Sequence, residues 1–141
     1  MGPRGRTDGP IASTATAAIL GAMRTEGVRR LVVVSAAPVG PVPDGDSFLN
    51  RHIVLPGISA LLKDLYADLR AMEQAMADSL IEWTAIRPPK LVNKPLTRRY
   101  RTVIGSNVAR GYTISRADVA HAMLAAIGDP VTIRRAIGIA Y

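Results

Sequence analysis

The chain has 141 residues, a length that suits one modest domain with a single hydrophobic core. Apolar residues make up 48% of it, which indicates a folded chain, and the absence of cysteine excludes disulfides and thiolate metal sites. Two histidines do not suggest a metal centre, and a net charge of +7 favours anionic partners such as nucleotides. No apolar run approaches the ~18 residues that span a membrane, and the charged N-terminus lacks the apolar segment of a secretory signal, so we expect a cytoplasmic protein.

The first predicted element is a helix from Pro10 to Gly27. Proline suits the first turn of a helix, and glycine is a common C-terminal cap. Between them, apolar side chains at helical spacing form one stripe. Its members are Ile11, Ala15, Ala18, Ile19, Ala22 and Met23.

The segment from Arg30 to Ala36 contains the strand on which the fold prediction depends. Four consecutive apolar residues, three of them β-branched, are followed by Ser35. A short continuous run of this kind is typical of a strand buried on both faces of a parallel sheet. Ligands bind at the carboxyl ends of such strands, so Ser35 is a candidate site residue.

The next stretch, residues 37–57, contains four prolines, which rule out regular structure through most of it. A loop of this length is either a binding loop or lid, or a surface insertion, and both readings stay open.

Residues 58–80 carry the pattern of the longest helix. Its predicted buried stripe consists of Leu61, Leu62, Leu65, Leu69, Met72 and Met76. Tyr66 and Arg70 share one face beside that stripe, and Glu73 is spaced to pair with Arg70. A strand follows over residues 81–86, and the proline pair after Arg87 stiffens the chain at its carboxyl end.

The remaining chain begins with a basic segment, residues 90–111, which has six basic residues and no acidic one. It includes a possible short strand over 100–104. Ser115 and Asp118 match a capping box at the start of a helix that ends at Gly128, and residues 135–141 read as a last strand. Helices and strands therefore alternate, which predicts an α/β fold with a parallel sheet and helices on both faces.

Four segments in this order resemble the atypical short-chain dehydrogenase/reductases, and within them the NAD(P)H-binding proteins of the NmrA-like and flavin/biliverdin-reductase-like group. The segments are Val32-Val-Val-Ser35-Ala, Tyr66-Ala-Asp-Leu-Arg70-Ala-Met-Glu73, Trp83-Thr-Ala-Ile-Arg87-Pro88-Pro89 and Ile114-Ser-Arg-Ala-Asp118-Val-Ala. The resemblance covers nearly the whole chain. It implies a single Rossmann-like domain over residues 1–141 with a three-layer fold and a parallel sheet.

One part of that family's pattern is missing. The family opens with a strand and a G-x-x-G-x-x-G turn that holds the dinucleotide pyrophosphate. No strand precedes Gly2, Gly5 or Gly9 here, and the segment with Gly2 and Pro3 instead resembles the loop after the family's fourth strand. We therefore expect the C-terminal half of a Rossmann-like domain. The chain is then a truncated form, the product of a misassigned start, a degenerate gene product or a protein completed by a partner, and the sequence leaves these four alternatives open. The first strand of the chain would have an unpaired edge, which favours a homo-oligomer or marginal stability.

The resemblance also implies a cofactor, NADP or NAD, and a set of site residues. The family's catalytic serine and tyrosine correspond to Ser35 and Tyr66, and Arg70 stands where the family has lysine. Each has a structural alternative: Ser35 bonding local backbone, Tyr66 bordering the buried helix face, and Arg70 paired with Glu73. The candidate cofactor-binding residues are Gly2, Pro3, Ser35, Ala36, Arg87, Pro88 and Pro89.

Two functions remain open at this stage. The first is an NAD(P)H-dependent reductase or a cofactor sensor that binds a dinucleotide and a small-molecule substrate. The second is a non-catalytic remnant or interaction module that pairs through its sheet edge. Nucleic-acid binding is not expected, because the basic segment lacks a helix-turn-helix signature and has one interleaved aromatic residue.

Overall fold

The computed structural model describes residues 9–43 and 62–141. Gly2, Pro3, Leu61 and most of the proline-rich loop lie outside these ranges. The helices and strands of the described residues are α1 (Ile11–Glu26), β1 (Arg30–Val34), α2 (Lys63–Asp78), β2 (Glu82–Arg87), β3 (Lys90–Val92), β4 (Arg101–Ile104), β5 (Thr113–Ser115), α3 (Arg116–Ile127) and β6 (Arg135–Ala140).

The main sheet has four strands in the order β1-β2-β6-β4. The first three are parallel, whereas β4 runs antiparallel to β6. The predicted α/β fold with a parallel sheet is therefore confirmed. The possible short strand over residues 100–104 is present as β4, but the sequence did not indicate its antiparallel direction. Strands β3 and β5 form a separate parallel pair.

Helices cover both faces of this sheet. On one face, α1 and α2 pack on β2, where Trp83 and Ala85 contact Met72 and Met76. On the other face, α3 packs on a second cluster of buried side chains that includes Ile86, Ile114, Val119, Ala122, Ile137 and Ile139. Alternate residues of β2 thus belong to different clusters, because successive side chains of a strand point to opposite faces of the sheet.

The prediction that β1 is buried on both faces is only partly right. Leu31 and Val33 contact the α1–α2 side, and Val32 contacts the α3 side. All three are only partly buried, and Val34 is 39% exposed. The reason is position: among the described residues β1 pairs with β2 alone, so its second edge has no strand beside it. The predicted unpaired edge is therefore present in the part of the chain that the structure describes.

Side chains from other elements satisfy the ends of the three helices, where backbone groups lack partners within the helix. Asp68 accepts hydrogen bonds from the N–H groups of Ala12 (2.7 Å) and Ser13 (2.9 Å) at the start of α1. The Arg134 guanidinium donates to carbonyls at the end of α2, and that of Arg30 donates to carbonyls at the end of α3. The Asp68 contact joins α1 to α2, and the two arginine contacts join α2 and α3 to the ends of strands in the sheet.

Candidate functional site

The carboxyl ends of β1 and β2 lie side by side and continue to pair beyond the strands. The backbone N–H of Ser35 donates to the carbonyl of Ile86 (2.8 Å), and that of Ala37 donates to the carbonyl of Pro88 (2.9 Å). These bonds bring the predicted residues Ser35 and Ala36 next to Arg87 and Pro88. Two of the predicted cofactor-binding residues, Gly2 and Pro3, lie outside the described residues.

The Ser35 side chain is buried, with 6% of the residue exposed, and its hydroxyl has no hydrogen-bond partner among the described residues. The alternative in which this hydroxyl bonds local backbone is therefore not observed. Buried polar atoms are nearly always hydrogen-bonded, so an exception calls for an explanation, and a catalytic role is one of the known ones. The unpartnered hydroxyl marks this strand end as the best candidate site.

Arg87 reaches from the end of β2 to α2, where its guanidinium forms a two-point ion pair with the Glu73 carboxylate. The expected pairing of Arg70 with Glu73 is wrong, because Glu73 lies on the side of α2 that faces the sheet. Arg70 instead donates to the carbonyl of Pro38 (3.3 Å) in the turn that follows Ser35. Both basic residues therefore border the strand end.

Tyr66 lies one helical turn before Arg70 and is 6% exposed. Burial raises the pKa of its phenol above the ordinary 10.0. This direction is opposite to the one expected if Arg70 favoured the phenolate. The phenol is therefore neutral, which is the form that a proton donor requires.

The loop after Ser35 is also held from a third side by Asn107, a residue that the sequence did not single out. The amide Nδ2 of Asn107 donates to the carbonyls of Ala37 (2.7 Å) and Pro41 (3.0 Å). Its Oδ1 is buried and has no hydrogen-bond partner in the part of the chain that the structure describes. A lone asparagine in a basic segment carries no local signal, and only the tertiary structure reveals this contact.

The sequence pattern of the NAD(P)H-binding family matches residues 2–130. The chain belongs to this family. No curated protein sequence matches the chain significantly.

Solved structures agree with this assignment at the level of the fold. A Burkholderia pseudomallei protein provisionally described as exported aligns with 100% of the chain at 25% identity and a TM-score of 0.80. A short-chain dehydrogenase/reductase from Veillonella parvula in complex with NADP aligns with 92% of the chain at 21% identity and a TM-score of 0.73. An anaerobilin reductase, ChuY, from Escherichia coli aligns with 90% of the chain at 15% identity and a TM-score of 0.69. The chain spans 68%, 58% and 58% of these proteins, respectively.

In this member of the NAD(P)H-binding family, Asp118 organises the contacts of the basic segment. The predicted capping box forms only in part: the Ser115 hydroxyl accepts from the N–H of Asp118, but the Asp118 carboxylate accepts from that hydroxyl rather than from the Ser115 backbone. The Ser115 N–H donates instead to the hydroxyl of Tyr141. Asp118 also accepts from that tyrosine hydroxyl (2.7 Å) and from the backbone N–H groups of Thr97 and Arg98. It therefore anchors the basic segment to α3 and to the end of β6.

The basic segment of this family member follows β2 and has an exposed surface. Arg101 donates to the carbonyls of Ala109 and Tyr141, and Arg116 donates to the Asn93 side chain. Within the described residues no helix is long and apolar enough to cross a membrane.

Proposed function

We propose that the chain binds NADPH or NADH at the carboxyl ends of β1 and β2 and acts as an NAD(P)H-dependent reductase or a cofactor sensor. The observation that carries this proposal is the buried, unpartnered hydroxyl of Ser35 beside Arg87 and Pro88. In parallel α/β sheets this edge is where nucleotides bind. A bound nicotinamide nucleotide supplies the hydride in such a reaction.

The residues around this edge have distinct roles in the proposal. The Ser35 hydroxyl offers a hydrogen bond to a substrate carbonyl or to the ligand. The neutral Tyr66 phenol donates the proton to the reduced group. Arg70 keeps the loop after Ser35 in place through the Pro38 carbonyl. Ala36 and the segment Arg87-Pro88-Pro89 form a stiff wall against which a planar ring packs.

Titration of the purified chain with NADPH and with NADH, followed by nucleotide fluorescence, tests the proposal. We expect saturable binding with a Kd in the micromolar range for at least one of them. Ser35→Ala should weaken binding or turnover, whereas Thr25→Ala, which deletes a hydroxyl from an exposed position on α1, should leave both unchanged. A folded circular-dichroism spectrum without saturable binding of either nucleotide would contradict the proposal.

The alternative, an interaction module without catalysis, has one observation in its favour, the unpaired edge of β1. An open strand edge presents backbone donors and acceptors to another chain. In this case the chain would form a concentration-dependent homo-oligomer, and Val34→Lys, which adds a charge at an exposed position of β1, would shift it towards monomer. Light scattering during size exclusion separates this outcome from a monomer that binds NADPH.

A further inference from the structure

The structure assigns to Asn107 a role that rests on the proposed function: we propose that Asn107 is a positioning residue for the bound nicotinamide nucleotide. It acts by holding the segment Ala36–Pro41, here called the β1 loop, across the carboxyl ends of the sheet.

Asn107 has a rigid support, because the chain before it lies directly on β6. The N–H of Gly138 donates to the carbonyl of Ser106 (3.1 Å), and Gly138 is paired with Arg87 in the sheet. A Cβ atom at position 138 would lie 2.3 Å from that carbonyl oxygen and 2.7 Å from the Cα of Asn107. The close backbone approach that glycine permits therefore places Asn107 over the ends of the two central strands.

The amide of Asn107 holds the β1 loop at two points. It donates to the carbonyls of Ala37 and Pro41, which are near the two ends of the loop. The loop is also bound by Pro88, whose carbonyl accepts from the Ala37 N–H, and by Arg70, which donates to the carbonyl of Pro38. Of these contacts, only the amide of Asn107 binds the loop at two points.

The packing around Gly40 shows how closely Asn107 and Arg87 enclose this loop. A Cβ at position 40 would lie 2.6 Å from Nη1 of Arg87 and 3.2 Å from Oδ1 of Asn107. Arg87 has little freedom to move away, because its other guanidinium nitrogens bind Glu73. Position 40 therefore requires glycine, although its φ is an ordinary extended value of −85°.

Two polar atoms beside the β1 loop have no hydrogen-bond partner within residues 9–43 and 62–141. They are Oδ1 of Asn107, a buried acceptor, and the buried hydroxyl of Ser35, the residue just before the loop. A residue needed only for the fold would be expected to have all its polar atoms paired. The unused acceptor and hydroxyl therefore point to a ligand that binds against the β1 loop and uses the conformation that Asn107 imposes.

Asn107→Ala tests the proposal. The variant removes the two hydrogen bonds that hold the β1 loop, so we expect NADPH to bind about tenfold more weakly or worse. Asn93→Ala removes an asparagine amide from an exposed position and should change the Kd by less than about twofold. Gly40→Ala should weaken binding with the Asn107 amide intact, whereas Gly128→Ala, which has open space around its Cβ, should not.

Hydrogen exchange of the peptide covering residues 36–43 separates positioning from general destabilisation. NADPH should protect this peptide in the wild-type chain and protect it much less in Asn107→Ala, while exchange in β2 and β6 stays the same in both. Wild-type affinity and loop protection in Asn107→Ala would overturn the inference. If the wild-type chain itself fails to bind NADPH, the proposed function fails. In that case, the exchange rate of the ligand-free β1 loop decides whether Asn107 positions it. Faster exchange in Asn107→Ala than in the wild-type chain supports this role, and an unchanged rate contradicts it.

Discussion

Glu73 on α2 and Arg87 at the end of β2 form a two-point ion pair, with Nε–Oε1 and Nη2–Oε2 distances of 3.0 and 2.5 Å. Only 10% of the Glu73 side chain and 12% of that of Arg87 are exposed. The pair joins the helix that carries Tyr66 to the strand end that carries the candidate site.

Removing one partner of this pair should destabilise the chain strongly. Arg87→Met leaves the Glu73 carboxylate buried without its counter-ion, at a cost of about 3 kcal/mol in the free energy of unfolding, measured by urea denaturation. The exposed pair Arg29–Glu82 is a matched control, because its side chains are 77% and 34% exposed. Arg29→Met should cost at most about 0.5 kcal/mol. An equal loss in the free energy of unfolding for Arg87→Met and Arg29→Met would show that burial of the Glu73–Arg87 pair does not increase its contribution to stability.

Acid should destabilise the chain partly through Asp118. Burial by itself would raise the pKa of this carboxyl, but hydrogen bonds from Tyr141, Arg98, Thr97 and Ser115 outweigh it and hold the pKa well below the ordinary 3.8. A depressed folded-state pKa stabilises the fold above the unfolded-state value, and this contribution is lost as the pH falls towards the folded-state value.

Asp118→Asn should therefore flatten the dependence of the free energy of unfolding on pH below about 4. The variant should also be less stable at pH 7, because an amide cannot accept all of these hydrogen bonds. Urea denaturation of both proteins at several pH values measures the two slopes. Identical slopes would contradict the assignment of this titration to Asp118.

Arg30 should not tolerate replacement by lysine. Its guanidinium donates to the carbonyls of Glu82 and Ala126 and to the hydroxyls of Thr84 and Thr132. Lysine presents a single charged nitrogen instead of a planar fork, so buried acceptors lose their donors. We expect Arg30→Lys to cost about 2 kcal/mol in the free energy of unfolding.

Arg24→Lys serves as the control for this change, because Arg24 is exposed in the last turn of α1. It should be neutral within about 0.5 kcal/mol. A loss of stability as small for Arg30→Lys as for Arg24→Lys would show that the network around Arg30 is dispensable.

Tyr66→Phe should separate chemistry from binding if the proposed reductase function is right. Loss of the proton donor should lower turnover about 100-fold, while the Kd for NADPH stays within about twofold. Because burial raises the pKa of Tyr66, its ionisation should not reduce the wild-type rate below pH 10. Steady-state rates against pH for both proteins test this, and a tyrosine without a catalytic role predicts unchanged turnover.

The local order of helices and strands could be predicted from the sequence because it depends on spacing and caps. The first helix ends at Gly27, which has a φ of 69° and caps it as expected. The direction of β4 could not be predicted, since antiparallel pairing with β6 depends on the path of the chain and not on the apolar pattern of four residues. The half-buried state of β1 likewise depends on which strands lie beside it.

The positions of Ser35 and Arg87 at the carboxyl ends of β1 and β2 were predictable, because the apolar pattern of a strand also indicates where the strand ends. The partner of Glu73 was missed because helical spacing suggested Arg70, whereas burial against the sheet favours Arg87. Asn107 was missed because its contacts are with residues that are distant in sequence, such as Ala37, 70 positions away.

The cap on α1 has a consequence for anion recognition. The positive end of a helix often attracts phosphate, and here the carboxylate of Asp68 already occupies the first-turn N–H groups of Ala12 and Ser13. Asp68 thus occupies the N–H groups at the N-terminus of α1 that would otherwise attract the diphosphate of a dinucleotide. The phosphates of a bound dinucleotide would therefore contact other groups. Replacement of Asp68 by an uncharged residue would free the N–H groups of Ala12 and Ser13 to bind an anion.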